Sequence, residues 1–335
     1  MASDTRELES ITVDRSDGVV TITLRRPEKK NAADAAMWNE LLAEFRAIAS
    51  NSADRAVVIT GAGGNFCSGA DLWQGASGET PPHQLSAMRH ISDVCLALHR
   101  IPQPTVAKVR GVAVGAGLNL ALSCDLIVAS ENARFSEIFA KRGLSLDFGG
   151  SWLLPRLVGM HRAKELALLA EIIDAPRAAE MGLVNRVLPD DEVDAFVDDW
   201  AARLAGGPPI ALAMSKRLLA DPREVCVLHG DAHHGNFLDF GELGWLAIDP
   251  KGLIGDRGYD YANLLCNPDL ATAIAPGRIA RQARVVAQAA NLDPLRTLQW
   301  LLAYAGLSAA WTLSDGNDPA GALRIAEIAA AELGL

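Results

Sequence analysis

Two glycine-rich turns and one aspartate form the first set of residues that could do chemistry. The turns are CSGADL at 67–72 and VGAGLN at 114–119, and the aspartate is Asp147 in LSLDFGG. Small residues let a backbone come close to a ligand, so two such turns can aim two main-chain N–H groups at one developing oxyanion. An enolate-like transition state beside a thioester needs such donors, and losing one typically adds about 3–4 kcal/mol to the barrier. A carboxylate near that oxyanion can carry a proton from one carbon to another. Asp147 also precedes Gly149 and Gly150, so capping a following helix is its competing structural role. Glu137, on the preceding segment, reads as a solvated or supporting carboxylate.

The second set is HGDAHHGN at 229–236, with three histidines and an aspartate, followed by Asp249 in IDP. Metal binding is one reading, since His and Asp are ligands. Asp231 and Asn236 lie five apart, however, with a further Asp downstream. Phosphoryl transfer uses that arrangement: one Asp accepts the hydroxyl proton, and an Asn with a later Asp holds Mg²⁺ on the phosphates.

The elements that must position these residues follow from pattern. Residues 18–24 (GVVTITL) and 56–60 (AVVIT) read as strands, and Met37, Leu41, Phe45 and Ile48 fall at helical spacing between them. The run 105–117 is a strand entering a glycine-rich turn, 118–123 starts a helix, and 125–129 is another strand. Residues 73–85 are polar and proline-containing, which predicts a loop, and 86–100 a helix. Strands alternating with helices predict an α/β architecture. Helical patterns continue at 161–170, 177–181 and 191–204. GGPP at 206–209 is a breaker cluster, and the short helical pattern IALAMSKRLLA follows it. Two short strands are then expected around the His/Asp-rich loop, with Ala- and Leu-rich helices over 278–334. The domain boundary is expected between 218 and 219.

Composition limits the partners. Half of the 335 residues are hydrophobic and only 21% are charged, which suits a sizeable core. The net charge of −10 argues against nucleic acid, whose phosphates need a basic surface. It leaves room for a small anionic ligand on a local basic patch. The five cysteines are scattered without CxxC spacing, which predicts reduced thiols in a cytoplasmic protein. The polar start and the lack of a long apolar run predict neither a signal peptide nor a membrane span.

Several blocks in order carry a resemblance. LRRPEKKNA at 24–32, GAGGNFCSGADL at 61–72, RGVAVGAGLNLALSCD at 110–125, RGLSLDFGGSWLLPRL at 142–157 and GLVNRVL at 182–188 resemble the successive signatures of the enoyl-CoA hydratase/isomerase (crotonase) superfamily. That resemblance covers about 10–218 and implies a crotonase-like ββα spiral domain over 1–218. It implies oxyanion amides at Ala70 and Ala116, and CoA contacts around Ser68, Ala70, Asp71, Leu72 and Gly117. Arg26, Lys29 and Lys30 would lie near the CoA phosphates. The substrate would be an acyl-CoA, with no separate cofactor.

Family members that hydrate carry two glutamates, and the matching positions here are Asn119 and Phe139. Neither can act as a general base. Asp147 matches the catalytic aspartate of isomerase-type members, and LDFGGSWLLPRLVG is similar to the phenylacetyl-CoA isomerase branch. The resemblance therefore implies double-bond isomerisation through Asp147. A homotrimer or dimer of trimers is the family's assembly, and the replaced C-terminal segment argues against it here.

Over about 219–335, HGDAHHGN, WLAIDPKGLIGDRGYDYANLLCNP and LQWLLAYAGLSAAW resemble the aminoglycoside phosphotransferases, streptomycin 6-kinases in particular. This implies a mainly helical fragment like the C-terminal lobe of such a kinase. Asp231 would be the base, Asn236 and Asp249 would hold Mg, and His229 would support the loop. The nucleotide lobe is missing, because an acyl-CoA region lies upstream, so weak or absent ATP binding is expected. Three readings stay open: an acyl-CoA isomerase, an aminoglycoside kinase using ATP and Mg, and an inactive fusion product.

Overall fold

The computed structural model describes residues 4–71, 84–220, 223, 225–251 and 253–335. The expected loop at 73–85 lies almost wholly outside the described residues, as does Leu72. The chain divides into two compact units, Met1–Gly206 and Gly207–Leu335.

The first unit is built on a seven-stranded sheet. Its strands, in spatial order, are Asp4–Glu7, Ile11–Ser16, Val19–Leu24, Ala56–Gly61, Thr105–Val109, Leu126–Ser130 and Arg186–Leu188. The first three pair antiparallel, and the pairings beyond Val19–Leu24 are parallel. Alternation decides the faces. Val20, Ile22 and Leu24 are fully buried on one side of their strand. They meet Met37, Leu41, Phe45 and Ile48 of the helix Ala35–Ser50, started by Asp34, whose carboxylate accepts from the Met37 amide at 2.9 Å. Each such buried side chain contributes about 1.5–3 kcal/mol. Val58, Val106 and Val128 face the other way and are covered by Val193, Val197 and Ala201 of the helix Val193–Gly206. The parallel strands thus have apolar cover on both faces, as continuous β-branched runs require.

A small second sheet, Val112–Val114, Arg134–Ser136 and Ile173–Asp174, adjoins the glycine-rich turns. The expected helices fall at Gln84–Arg100, Ala116–Leu122, Met160–Leu169 and Ala175–Met181.

The second unit is mainly helical. Helices Pro209–Ala220, Gly258–Leu265, Arg278–Ala290, Pro294–Ser314 and Ala320–Leu333 surround cores that include Leu265, Ile279, Leu301 and Ile325. Two antiparallel strand pairs join them: Val225–Leu228 with Leu253–Asp256, and Phe237–Asp239 with Trp245–Ala247. The expected strands around the histidine-rich loop form, although each pairs with a later strand.

Helix Pro209–Ala220 lies in this second unit, ahead of the boundary expected at 218/219. Its Leu218 packs with Ala262, Trp300 and Ala303. A Cβ on Gly306 would come within 2.3 Å of the Ala211 Cβ, so the close crossing with helix Pro294–Ser314 depends on that glycine. Among the described residues, no helix is long and apolar enough to cross a membrane.

Candidate active site

The basic loop and the first turn are tied together by Asn31, which sits at φ 56° in the left-handed region. Its side-chain nitrogen donates to the main-chain oxygens of Ala62 (2.9 Å) and Asn65 (2.7 Å), and its oxygen accepts from the Arg26 amide at 2.9 Å. The Ala33 amide donates to Gly69 and the Asp71 amide to Ala33, both at 2.8 Å. The Ser68 amide donates to Lys30, and the Ser68 hydroxyl to Lys29. Sequence reasoning passed over Asn31, whose signal would have been an amide side chain between two loops that need cross-bracing.

The two glycine-rich turns meet edge to edge. The Cys67 amide donates to Val112 at 2.9 Å, and the Val114 amide donates back to Cys67 at 3.0 Å. Glycines make the approach possible. A Cβ on Gly117 would lie 2.3 Å from the Cys67 oxygen. One on Gly69, at φ 95°, would lie 2.9 Å from the Val114 oxygen and 3.6 Å from the Ala116 nitrogen. Gly115 carries φ 57° where the chain enters helix Ala116–Leu122. Among the described residues, neither the Ala70 nor the Ala116 amide donates a hydrogen bond. Two free N–H groups on joined turns can receive one oxygen.

The expected basic residues behave differently from one another. Arg26 pairs with Asp34 (3.2 Å) and Asp71 (3.0 Å), and Lys29 pairs with Asp71 at 2.8 Å. The Asp71 carboxylate is therefore occupied by the loop cations, and its role is to hold that loop. Among the described residues Lys30 forms no ion pair, and it is exposed.

Asp147 is half-buried, ahead of helix Gly150–Val158. The helix begins from Gly149, with no side-chain cap, so Asp147 does not cap it. The Gly150 amide bonds the Asp147 main-chain oxygen at 2.9 Å, and Asp147 Oδ1 is buried without a partner. Burial pushes the Asp147 carboxyl up to about 6. The next residue, Phe148, has φ 46° and packs on Trp38 with ring centroids 5.3 Å apart.

Asn119 brings this carboxylate to the second turn. Its Nδ2 donates to the Asp147 main-chain oxygen at 2.9 Å and lies 3.4 Å from Glu137 Oε2. Asn119 stands one helical turn from Ala116, about 4.5 Å along the axis. Glu137, expected to be solvated or supporting, is fully buried. Burial and then the Asp147 charge push it up to about 8, against the Asn119 hydrogen bond. Phe139 is buried and offers no acid or base. The buried Cys67 thiol is pushed up to about 11 by desolvation, which disfavours it as a nucleophile.

Residues 14–231 match the enoyl-CoA hydratase/isomerase family, well over half the chain. The chain belongs to the enoyl-CoA hydratase/isomerase family. It is 43% identical over 202 residues to a probable enoyl-CoA hydratase of Rhodobacter capsulatus, spanning 60% of this chain and 77% of that protein. The crystal structure of a putative enoyl-CoA hydratase from Thermobifida fusca in complex with CoA is similar at a TM-score of 0.59 and 39% identity. That likeness covers 63% of this chain and 84% of that one. Enzymes of the hydratase/isomerase family act on CoA thioesters without a cofactor.

Residues 161–316 match a second family, the aminoglycoside/hydroxyurea antibiotic resistance kinases. A streptomycin 3''-kinase of Klebsiella pneumoniae is 52% identical over 193 residues, covering 47% of this chain and 73% of that protein. Its name differs from the expected 6-kinase type in the position phosphorylated. The hydratase/isomerase chain thus carries a kinase-family segment, a fusion of two enzyme families.

In that segment Asp231 Oδ1 accepts from Asn263 Nδ2 at 3.2 Å, and Lys251 Nζ lies 3.7 Å from its Oδ2. Asp260 takes the His229 and Gly230 amides at 2.8 Å each, and His229 Nε2 contacts the Ile248 oxygen at 2.8 Å. His229 therefore supports the loop. Asn236 Nδ2 donates to the Asp231 main-chain oxygen at 3.0 Å. The Asp249 carboxylate is exposed and paired with Lys251 Nζ at 2.9 Å, which draws it below the ordinary carboxylate range. Among the described residues no group of three His, Cys, Asp or Glu side chains is gathered to hold a metal ion. Lys251 thus occupies the Asp249 carboxylate, the group that would hold Mg²⁺ together with Asn236.

Proposed function

We propose that the chain is an acyl-CoA isomerase that shifts an enoyl double bond. The observation that carries this reading is the joining, among the described residues, of two amides without a hydrogen bond, Ala70 and Ala116, on turns that Asn119 ties to the half-buried, non-capping Asp147. The thioester oxygen accepts from both amides, and the negative charge that develops on enolisation is stabilised there. Asp147 removes a proton from one carbon of the enoyl chain and returns it two carbons away, regenerating the carboxylate. A carboxyl raised to about 6 suits that exchange near neutral pH.

Isomerisation is favoured over hydration because Asn119 and Phe139 occupy the positions of the two hydratase glutamates. Asn119 holds the main chain of Asp147, and Phe139 is buried and apolar. Among the expected CoA-binding residues, Lys30 has a cationic head that forms no ion pair with the described residues and can take phosphate, and Arg26 and Lys29 brace the loop through Asp71. The main chain at Ser68, Ala70, Asp71 and Gly117 lines the thioester side.

Phosphoryl transfer by Asp231, Asn236 and Asp249 is the lesser reading. A kinase needs a phosphate-covering loop and a lysine for the nucleotide upstream of its catalytic loop. The acyl-CoA unit stands there instead.

Mass-spectrometric turnover of a panel of 2- and 3-enoyl-CoAs tests the proposal. Interconversion at constant mass is the expected result. A product heavier by one water as the main species would replace isomerisation with hydration.

A further inference from the structure

Glu137 follows strand Arg134–Ser136, is fully buried, and has no part in the proton transfer proposed above. Its Oε1 has no hydrogen-bond partner, and neither has Asp147 Oδ1 or Asn119 Oδ1, all buried. The donor between these residues is Asn119 Nδ2, bonded at once to the Asp147 main-chain oxygen and to Glu137 Oε2. Among the described residues, the ionisable groups facing this cluster are Glu137, Asp147 and the Cys95 thiol of helix Gln84–Arg100, and none of them is a cation.

Two carboxylate charges in such a place repel each other without compensation. One proton removes a charge and turns an acceptor into a donor where acceptors outnumber donors. Burial decides where the proton goes. Glu137 has no access to water, whereas Asp147 is only half-buried and so keeps its charge more easily.

We propose that Glu137 is a positioning residue that holds the one proton of a two-carboxylate pair, so that the single negative charge rests on Asp147. The inference rests on the isomerase reading and deepens it. While Glu137 is neutral, Asn119 Nδ2 stays on the Asp147 main-chain oxygen and the turn keeps its aim. When Glu137 ionises, its charge draws the amide away and places a second negative charge beside the base. The upper limb of the pH profile therefore belongs to Glu137 and the lower limb to Asp147. The raised positions of both carboxyls, about 6 for Asp147 and about 8 for Glu137, agree with this division.

The test combines two measurements on the full chain. Carboxyl ¹³C NMR of labelled Asp and Glu follows protonation without needing turnover, and kcat for enoyl-CoA isomerisation is measured across pH. In the wild type the Asp147 signal should move in two steps. In Glu137→Gln it should move in one, and the kcat profile should keep its lower limb and lose its upper one. A Glu137 signal that titrates in the ordinary carboxylate range overturns the proposal, as does a Glu137→Gln profile with the upper limb in place. If the wild type isomerises no enoyl-CoA, the isomerase reading fails by itself. The wild-type titration then still decides whether the pair shares one proton. It also decides the matter if Glu137→Gln does not fold.

Discussion

The Asn119 side-chain amide donates to the main-chain oxygen of Asp147 at 2.9 Å, so the helix that presents the Ala116 amide also holds the turn that presents the carboxylate. The contact is tight: a Cβ on Gly150 would lie 2.4 Å from Asn119 Nδ2. Asn119→Leu removes the donor and leaves the Glu137 carboxyl without a partner. Leaving buried acceptors unmade costs about 1–3 kcal/mol each. Urea denaturation should show a loss of that size, and kcat should fall more than KM rises because the damage lies in aim.

Asp147→Asn keeps the size of the side chain and removes its basicity. General base catalysis is worth about 10²–10⁴-fold, so kcat should fall by that factor. Acyl-CoA affinity by calorimetry should stay within about threefold, since the carboxylate does not hold the CoA. Wild-type turnover in this variant would remove Asp147 from the reaction.

Glu137 also makes folding stability depend on pH. Its carboxyl is raised in the folded state to about 8 from an ordinary 4.5. Between those values the folded chain binds more protons than the unfolded one, so this contribution is complete below about 4.5 and declines as pH rises through about 8. The difference across that window is of the order of a few kcal/mol. Glu137→Gln should therefore flatten the fall in unfolding free energy between pH 5 and 8. Equal slopes in the two proteins would show that Glu137 does not carry it.

Much of this site was legible in the sequence for a physical reason. Gly69, Gly115 and Gly117 are conformational and steric necessities, and the turns they mark are where, among the described residues, the amides of Ala70 and Ala116 donate no hydrogen bond. Asp147 could be singled out, but only the backbone settled its alternative role, because the helix starts from Gly149. Glu137 was not legible. A glutamate immediately after a short strand looks solvated, and its burial depends on the chain folding back over it. Asn31 and Asn119 were missed as braces because an amide's partners are main-chain oxygens, which leave no trace in side-chain spelling. Helix Pro209–Ala220 has an apolar face that could pack on either unit, and only the contacts of Leu218 assign it.

Gly117→Ala tests the joined turns directly. The new methyl would fall 2.3 Å from the Cys67 oxygen and 2.8 Å from its carbonyl carbon, both backbone atoms that cannot rotate away. Overpacking of this kind costs about 1–3 kcal/mol. Parting the turns should also misplace one oxyanion donor, a loss of about 10²–10³ in kcat. Thermal melting and steady-state turnover measure the two effects separately. A variant that melts early but keeps its kcat would mean that the two amides do not act on one oxygen.

The kinase-derived segment calls for a ligand comparison. Asp231 is braced by Asn263, and Lys251 sits between Asp231 and Asp249 where a metal would need room. An exposed lysine pair of this sort is weak, so saturating Mg²⁺ alone could displace it. What Mg²⁺ cannot supply is the upstream lobe that grips the nucleotide. Ligand binding raises the melting temperature by mass action, with about 2.7 kcal/mol expected at a hundredfold excess over Kd. An acyl-CoA should therefore raise the midpoint, while ATP with Mg²⁺ at the same concentration should leave it in place. Asp231→Asn should leave enoyl-CoA turnover unaltered, because it belongs to the other unit. A clear ATP/Mg²⁺ shift that disappears in Asp231→Asn would instead show that the kinase segment still binds its nucleotide.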